Sequence, residues 1–292
     1  MNKNAGRKKS LTITTIFLVA VLSITQLYAI GAVQAFNAVT IYCPNKWVDG
    51  IDYSNEREYS SAICNAISNL FYWYGNNYAI RITRHNTDVT ASAYSNDAQY
   101  AQTYAYQVAV FSKGHCTPWD PGQYHRQLLV IDGNNARDSQ HIYPYTSQGK
   151  HRFVFLWHCG TAMSYPSQYD QYGWQGMPYC WTRNNNMAIQ GYTSGSGSHV
   201  FIGFHYWSHQ FLDPTNYGGF NYGDYCWYIF WNLLYYDLPV SAALDLAAQQ
   251  AFGQPSHTST PMWYGETLGP PGQQFWSCMR VLGNGQGLGV PT

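Results

Sequence analysis

Phe153-Val154-Phe155-Leu156-Trp157-His158-Cys159-Gly160-Thr161 is the stretch that decides the fold of this 292-residue chain. Its five leading apolar residues are rich in β-formers and form a run too short for a helix, so they predict a buried strand. The strand runs into Cys159. In open parallel sheets, ligands and chemistry lie beyond the carboxyl ends of the strands. Cys159 is therefore a candidate functional residue.

A second strand of the same kind is predicted at 106–111, and it leads through Ser112, Lys113 and Gly114 to His115. Neighbouring parallel strands that end in histidine and cysteine would bring an imidazole and a thiol together. This is the geometry that an activated cysteine nucleophile requires.

Apolar patterns in the rest of the chain alternate between strand and helix. Before His115 they predict strands at 38–43 and 78–83, a helix at 56–74 and a short helix within 91–104. After it they predict a hairpin at 127–133 and 141–143, a long surface excursion at 163–198, a strand at 199–204, helices at 225–236 and 240–252, and a strand at 275–282. The order indicates an α/β fold, a three-layer sandwich with helices on the faces of a mainly parallel central sheet.

The N-terminus has the three parts of a secretory signal. Basic residues precede an apolar run at 11–33, and Val33-Gln34-Ala35 offers the small residues that a signal peptidase needs. We expect a signal peptide at 1–35, one domain at 36–292, and a secreted protein with no other stable membrane partner. An uncleaved membrane anchor is the alternative, because the apolar run is long. A net charge of zero with 10% charged residues gives no electrostatic reason to expect a nucleic-acid partner.

The chain has seven cysteines, all beyond the predicted signal. An exported chain favours disulfide bonds, and an odd count leaves one thiol free unless it pairs between chains. No CxxC motif is present, so the thioredoxin-like and zinc-ribbon patterns are absent. The cysteines are Cys43, Cys64, Cys116, Cys159, Cys180, Cys226 and Cys278.

This order of parts resembles the caspase-like cysteine peptidases, the superfamily of caspases, legumains, clostripain and gingipains. In that family a catalytic His follows the third core strand and a catalytic Cys follows the fourth, which match His115 and Cys159 here. The strand at 200–204 and the helices after it also look like the last elements of the family. The chain departs from the family at Cys116, where glycine is usual, and at His158, where a small residue is usual. His158 either lowers the thiol pKa or points to the other face of the sheet.

The resemblance implies a cysteine endopeptidase acting on peptide or protein substrates, with no metal or organic cofactor. Cys159 would attack the peptide carbonyl as a thiolate, and His115 would maintain the thiolate or protonate the leaving amine. The backbone N–H groups of Cys116 and Cys159 would stabilise the oxyanion. The residue that sets specificity stays open among Asp49, Asp52 and Asp213.

Two other functions compete with the peptidase. The 11 Trp and 27 Tyr residues are typical of extracellular binding or structural proteins, in which aromatic rings form stacking surfaces. A caspase-like fold that has lost its chemistry is the second version of this alternative. A peptidase requires Cys159 as a free thiol near His115, whereas a binding protein tolerates it in a disulfide. His205 and His209 have helical metal-ligand spacing, but they follow a predicted strand without a partner Glu, so we predict no metal site.

Overall fold

The computed structural model describes residues 36–44, 54–119, 125–162, 176–184, 197–212, 221–264 and 279–291. All of them belong to one unit, Phe36–Thr292. The predicted signal segment at 1–35 lies outside the described residues. Within them, no helix has the length and apolar character that crossing a bilayer demands.

A six-stranded sheet forms the centre of the domain, in the order β2-β1-β3-β7-β8-β9. Five strands run parallel, and only β9 at the edge is antiparallel, to β8. As predicted, the strands that lead to His115 and Cys159 are parallel neighbours. The strands are β1 (Asn37–Cys43), β2 (Tyr78–His85), β3 (Val108–Lys113), β7 (His151–Trp157), β8 (Val200–Phe204) and β9 (Met279–Gly283).

Helices cover both faces of this sheet. The described helices are α1 (Ser54–Trp73), α2 (Ala91–Tyr104), α3 (Gly176–Thr182), α4 (Tyr222–Leu234), α5 (Val240–Phe252) and α6 (Pro261–Tyr264). Strand β7 shows how the layers are made, because its side chains alternate between the two faces. Phe153, Phe155 and Trp157 pack in the core with α1, α4 and α5, whereas Val154 and Leu156 pack in the core with α2 and α3. The predicted three-layer α/β sandwich is confirmed.

Local signals fix where helices α2 and α5 begin and end; α5 has the bounds predicted from the sequence, whereas α2 fills the whole range in which a short helix was predicted. The side chain of Thr90 caps α2 by accepting a hydrogen bond from the N–H of Ala93. Helix α5 begins after Pro239 and ends at Gly253, whose φ of 65° is the left-handed conformation of a glycine C-cap.

Two parts of the sequence prediction are wrong. The predicted hairpin has the wrong second strand: β5 (Arg126–Leu128) pairs antiparallel with β6 (Ala136–Arg137) and not with 141–143, and β4 (Cys116–Pro118) completes a three-stranded sheet. The predicted strand at 141–143 instead lies across two helical turns, Asp138–Ile142 and Tyr143–Tyr145.

The stretch predicted as a surface excursion, 163–198, contains the buried helix α3. Met177, Cys180 and Trp181 have relative positions i, i+3 and i+4, which places them on one face, and that face packs in the core. The stretch is poor in aliphatic residues, so a search for aliphatic runs misses this face. Residues 163–175 and 185–196 lie outside the described residues.

Candidate active site

Cys159 lies two residues beyond β7 and is a partly exposed free thiol. Its Sγ accepts a hydrogen bond from the backbone N–H of Ser208 at 3.3 Å and lies 3.5 Å from the Ser208 hydroxyl. The next residue is tied to the same segment, because the N–H of Gly160 donates to the carbonyl of Tyr206. The candidate nucleophile is thus held against the chain that follows β8.

His115 lies at the same edge of the sheet. Lys113 on β3 is paired in register with Trp157 on β7, so His115 and Cys159 each stand two residues beyond a paired position. Burial, reinforced by the ammonium of Lys113 and opposed by Glu56, lowers the pKa of His115 to about 4. Among the described residues, no hydrogen bond joins the His115 imidazole to the Cys159 thiol.

The backbone N–H of Cys116, on β4, points away from the neighbouring strand β5. The N–H of Leu129 donates to the His115 carbonyl at 2.9 Å, which makes these two a hydrogen-bonded pair of the β4–β5 ladder. Bonded and non-bonded pairs alternate in an antiparallel ladder, so Cys116 and Leu128 form a non-bonded pair. The chain at Cys116 is extended, a conformation that needs no glycine, so the cysteine is accommodated without strain. Burial raises the pKa of its thiol.

The N–H of Cys159, the second predicted oxyanion donor, donates to no acceptor within the part of the chain that the structure describes. Both N–H groups that sequence analysis singled out are therefore left available at one edge of the sheet. A carbonyl oxygen that becomes an oxyanion requires donors of this kind.

His158 points to the opposite face of the sheet from the one that holds Trp157. Its ring is fully buried, with Nε2 2.7 Å from the Ser112 hydroxyl and Nδ1 3.0 Å from the His115 carbonyl. Burial lowers its pKa to about 3. Two alternatives were considered from the sequence. The structure supports the second, in which the His158 ring points to the face of the sheet opposite Trp157.

Arg126 is a cation at the site that sequence analysis missed. A Cβ added to Gly160, whose φ is +67°, would lie 2.9 Å from the Arg126 Cζ, so the guanidinium lies directly against the residue after Cys159. The backbone N–H of Arg126 donates to Asp138 at 2.9 Å, which fixes the start of β5. Gly160 is thus required both by its backbone conformation and by the close approach of Arg126.

Glu56 at the start of α1 is the second residue that sequence analysis missed. Its carboxylate lies 3.1 Å from the Lys113 ammonium and accepts the N–H groups of Phe211 and Leu212 at 2.8 and 2.6 Å. This one side chain joins α1, the end of β3 and the segment after β8. The strand that leads to His115 and the segment that contacts Cys159 therefore share an anchor.

No disulfide joins the six described cysteines to one another, whereas export predicted disulfide bonds. Cys278, Asp49, Asp52 and Asp213 lie outside the described residues. His205 and His209 follow β8 in a segment that is not helical. Within the described ranges, no group of three or more His, Cys, Asp or Glu residues could hold a metal ion.

These features define an α/β three-layer protein that carries a thiol and an imidazole at one edge of its parallel sheet. Among solved structures, the chain is similar to caspase-1 from Spodoptera frugiperda, with a TM-score of 0.46 and 7% sequence identity over 86% of this chain and 89% of that one. No protein-family model and no curated protein matches the chain. The assignment of a caspase-like peptidase is therefore a proposal, argued below from this chain's own residues.

Proposed function

We propose that the chain is a secreted cysteine endopeptidase of the caspase-like type, with Cys159 as nucleophile and His115 as its proton-transfer partner. The observation that carries the proposal is the environment of Cys159. It is a partly exposed free thiol that accepts the N–H of Ser208 at the sheet edge to which β3 delivers His115. The thiolate is the nucleophilic form of a cysteine, so this thiol needs a nearby base to take its proton, and His115 is the imidazole at the same edge.

The chemistry is a double displacement at a peptide carbonyl. His115, neutral at pH 7, takes the proton of Cys159, and the sulfur bonds to the carbonyl carbon while the oxygen takes the electron pair. The N–H groups of Cys116 and Cys159 receive that oxyanion. The imidazolium protonates the departing amine, and a thioester remains. Water then attacks the thioester carbonyl while giving a proton to His115, the C–S bond breaks, and the Cys159 thiolate recovers that proton. The lowered pKa of His115 makes its imidazolium a stronger acid and its neutral ring a weaker base, so it favours protonation of the amine more than removal of the thiol proton.

A non-catalytic binding protein is the second candidate. It is favoured by the missing hydrogen bond between His115 and Cys159 in the described part of the chain, and by an aromatic ladder along α4 and the residue that caps its end. Trp227, Trp231 and Tyr235 stack in sequence, with ring centroids 5.3 and 4.5 Å apart. Tyr235 is half exposed, so the ladder reaches the surface. The two candidates differ in whether Cys159 is activated.

Alkylation of the folded, non-reduced chain with iodoacetamide, mapped by mass spectrometry, separates these candidates. We expect Cys159 to be labelled, and to be labelled at least about tenfold more slowly in His115→Ala, since proton transfer of this kind contributes about 10²–10⁴-fold. His85→Ala is the matched control, because His85 ends β2 at the same edge but two strands further from β7. Cys116→Ser checks that the label is assigned to the correct thiol.

An unreactive Cys159, a Cys159 found in a disulfide, or equal labelling in wild type and His115→Ala would each overturn the peptidase proposal. The non-catalytic binding protein would then be the better account of the chain.

A further inference from the structure

Both ring nitrogens of His158 are hydrogen-bonded behind the candidate site. Nδ1 lies 3.0 Å from the carbonyl oxygen of His115, and Nε2 lies 2.7 Å from the hydroxyl of Ser112. The Ser112 hydroxyl lies 2.8 Å from that of Tyr94, which is also buried. Tyr94, Ser112 and His158 are buried, and the series of hydrogen bonds that joins them ends on the backbone of His115, which is partly buried.

The chemistry of the groups at each end decides which atom donates in each of these hydrogen bonds. A carbonyl oxygen only accepts, so Nδ1 carries the proton and donates it to His115. Burial keeps the ring neutral, so Nε2 has no proton and accepts the hydroxyl proton of Ser112. Tyr94, whose pKa is raised by burial, keeps its own proton and donates it to Ser112. The tautomer of His158 is thus fixed by its partners.

Close packing holds the ring in this position. A Cβ added to Gly114 would lie 2.9 Å from Cε1 of His158 and 2.9 Å from Cγ of Pro44. The chain before His115 therefore lies directly on the imidazole, and glycine is the residue that leaves room for it.

The bond to the His115 carbonyl orients a second group. The carbonyl belongs to the peptide that joins His115 to Cys116, and a trans peptide is planar with its N–H opposite its C=O. The donors on that oxygen, His158 and the N–H of Leu129, therefore fix the direction of the Cys116 N–H. Hydrogen bonds to a carbonyl also polarise the N–H of the same peptide and strengthen it as a donor.

We infer that His158 is a positioning residue that fixes the peptide plane between His115 and Cys116 and so aims the Cys116 N–H at the oxyanion. This inference rests on the proposed peptidase function. It assigns His158 no proton transfer with substrate, and it gives a physical reason for an imidazole directly before the nucleophile.

Two substitutions separate the roles of the two ring nitrogens. The amide of His158→Asn places an N–H near the position of Nδ1 and can still donate to the His115 carbonyl. The amide of His158→Gln reaches the position of Nε2 and keeps a partner for Ser112 while it loses the donor to His115. A merely structural role predicts similar effects of the two variants.

Two reactions of Cys159 then separate positioning from activation. Iodoacetamide displacement at sulfur forms no oxyanion, so we expect its rate in His158→Gln to stay within about threefold of wild type, because the dyad is intact. Hydrolysis of a peptide substrate does form one, and loss of an aligned donor costs about 10²–10³-fold in kcat. We expect kcat to fall at least about tenfold further in His158→Gln than in His158→Asn, with KM little changed.

Equal losses of kcat in the two variants, with equal unfolding midpoints in urea, would overturn the inference. An unreactive Cys159 in the wild-type chain would instead overturn the proposed function. ¹⁵N NMR of the histidine-labelled wild-type chain gives a result that needs neither variant nor turnover. We expect a neutral His158 ring with its proton on Nδ1 at pH 7, and a proton on Nε2 would refute the geometry itself.

Discussion

The Glu56 carboxylate lies 3.1 Å from the ammonium of Lys113, and both side chains are largely shielded from solvent. The ion pair joins the first turn of α1 to the end of β3, two residues before His115. The same carboxylate accepts two backbone N–H groups of the segment after β8. The geometry of the candidate site therefore depends on a residue that lies outside it.

Neutralising this anchor destabilises the fold. Glu56→Gln leaves the Lys113 ammonium buried without its partner, and breaking such a pair costs about 3–5 kcal/mol. Urea unfolding measures the loss, with Glu58→Gln as control, since Glu58 is exposed on the same helix and its loss costs less than about 0.5 kcal/mol. The double variant Glu56→Gln, Lys113→Met recovers part of the loss, because no buried charge then remains. Equal stability of the two single Glu variants would contradict this account.

Buried neutral histidines make the fold sensitive to acid. Burial lowers the pKa of three of them, His151, His158 and His209, to about 3. In the unfolded chain they take up a proton near pH 6.5, so the unfolded state binds more protons between about pH 3 and 6.5 and stability falls as the pH falls. At pH 5, each of these histidines lowers the free energy of unfolding by about 2 kcal/mol relative to neutral pH.

His151 offers the clearest test of this acid effect. It is fully buried, and neither ring nitrogen has a hydrogen-bond partner among the described residues. His151→Leu removes the titrating group, so the loss of unfolding free energy between pH 7.5 and pH 5 shrinks by about 2 kcal/mol. Phe153→Leu on the same strand alters packing without changing that difference. An unchanged pH dependence in His151→Leu would show that this histidine is not held neutral.

A side chain added at Gly160 has a steric effect beside the nucleophile. Gly160→Ala places a Cβ against the Arg126 guanidinium and also adopts a left-handed conformation. Gly253→Ala is matched to it, with a φ of +65° and nothing within 4 Å of the new Cβ, so it isolates the conformational cost of about 1 kcal/mol. We expect Gly160→Ala to lose more unfolding free energy than Gly253→Ala and to slow iodoacetamide labelling of Cys159. If both variants behaved alike, Arg126 would not contact Gly160 closely.

The sequence predicts what depends on local signals. Apolar runs locate β3 and β7, helical apolar spacing locates α5, and the parallel order brings His115 and Cys159 to one edge. Contacts made by pairing over long sequence distances are not encoded locally. Ser208 reaches Cys159 only because β8 pairs with β7, and Arg126 reaches Gly160 only because the small sheet folds back over it.

The orientation of His158 lies between these cases. Alternation along the strand predicts the face opposite Trp157, but only the structure shows the partners there, Ser112 and the His115 carbonyl. Helix α3 was missed because its buried face is made of Met, Cys and Trp rather than aliphatic residues.

Cleavage of a mixed-sequence peptide library by the full chain, read by mass spectrometry, tests the central claim most directly. Such a library requires no assumption about specificity, and Cys159→Ala is the reference for contaminating activity. We predict new peptide termini with the wild-type chain and none above background with Cys159→Ala, since removing a nucleophile of this kind lowers kcat by about 10⁶-fold. The absence of cleavage by the wild-type chain, or equal cleavage by both, would contradict the account.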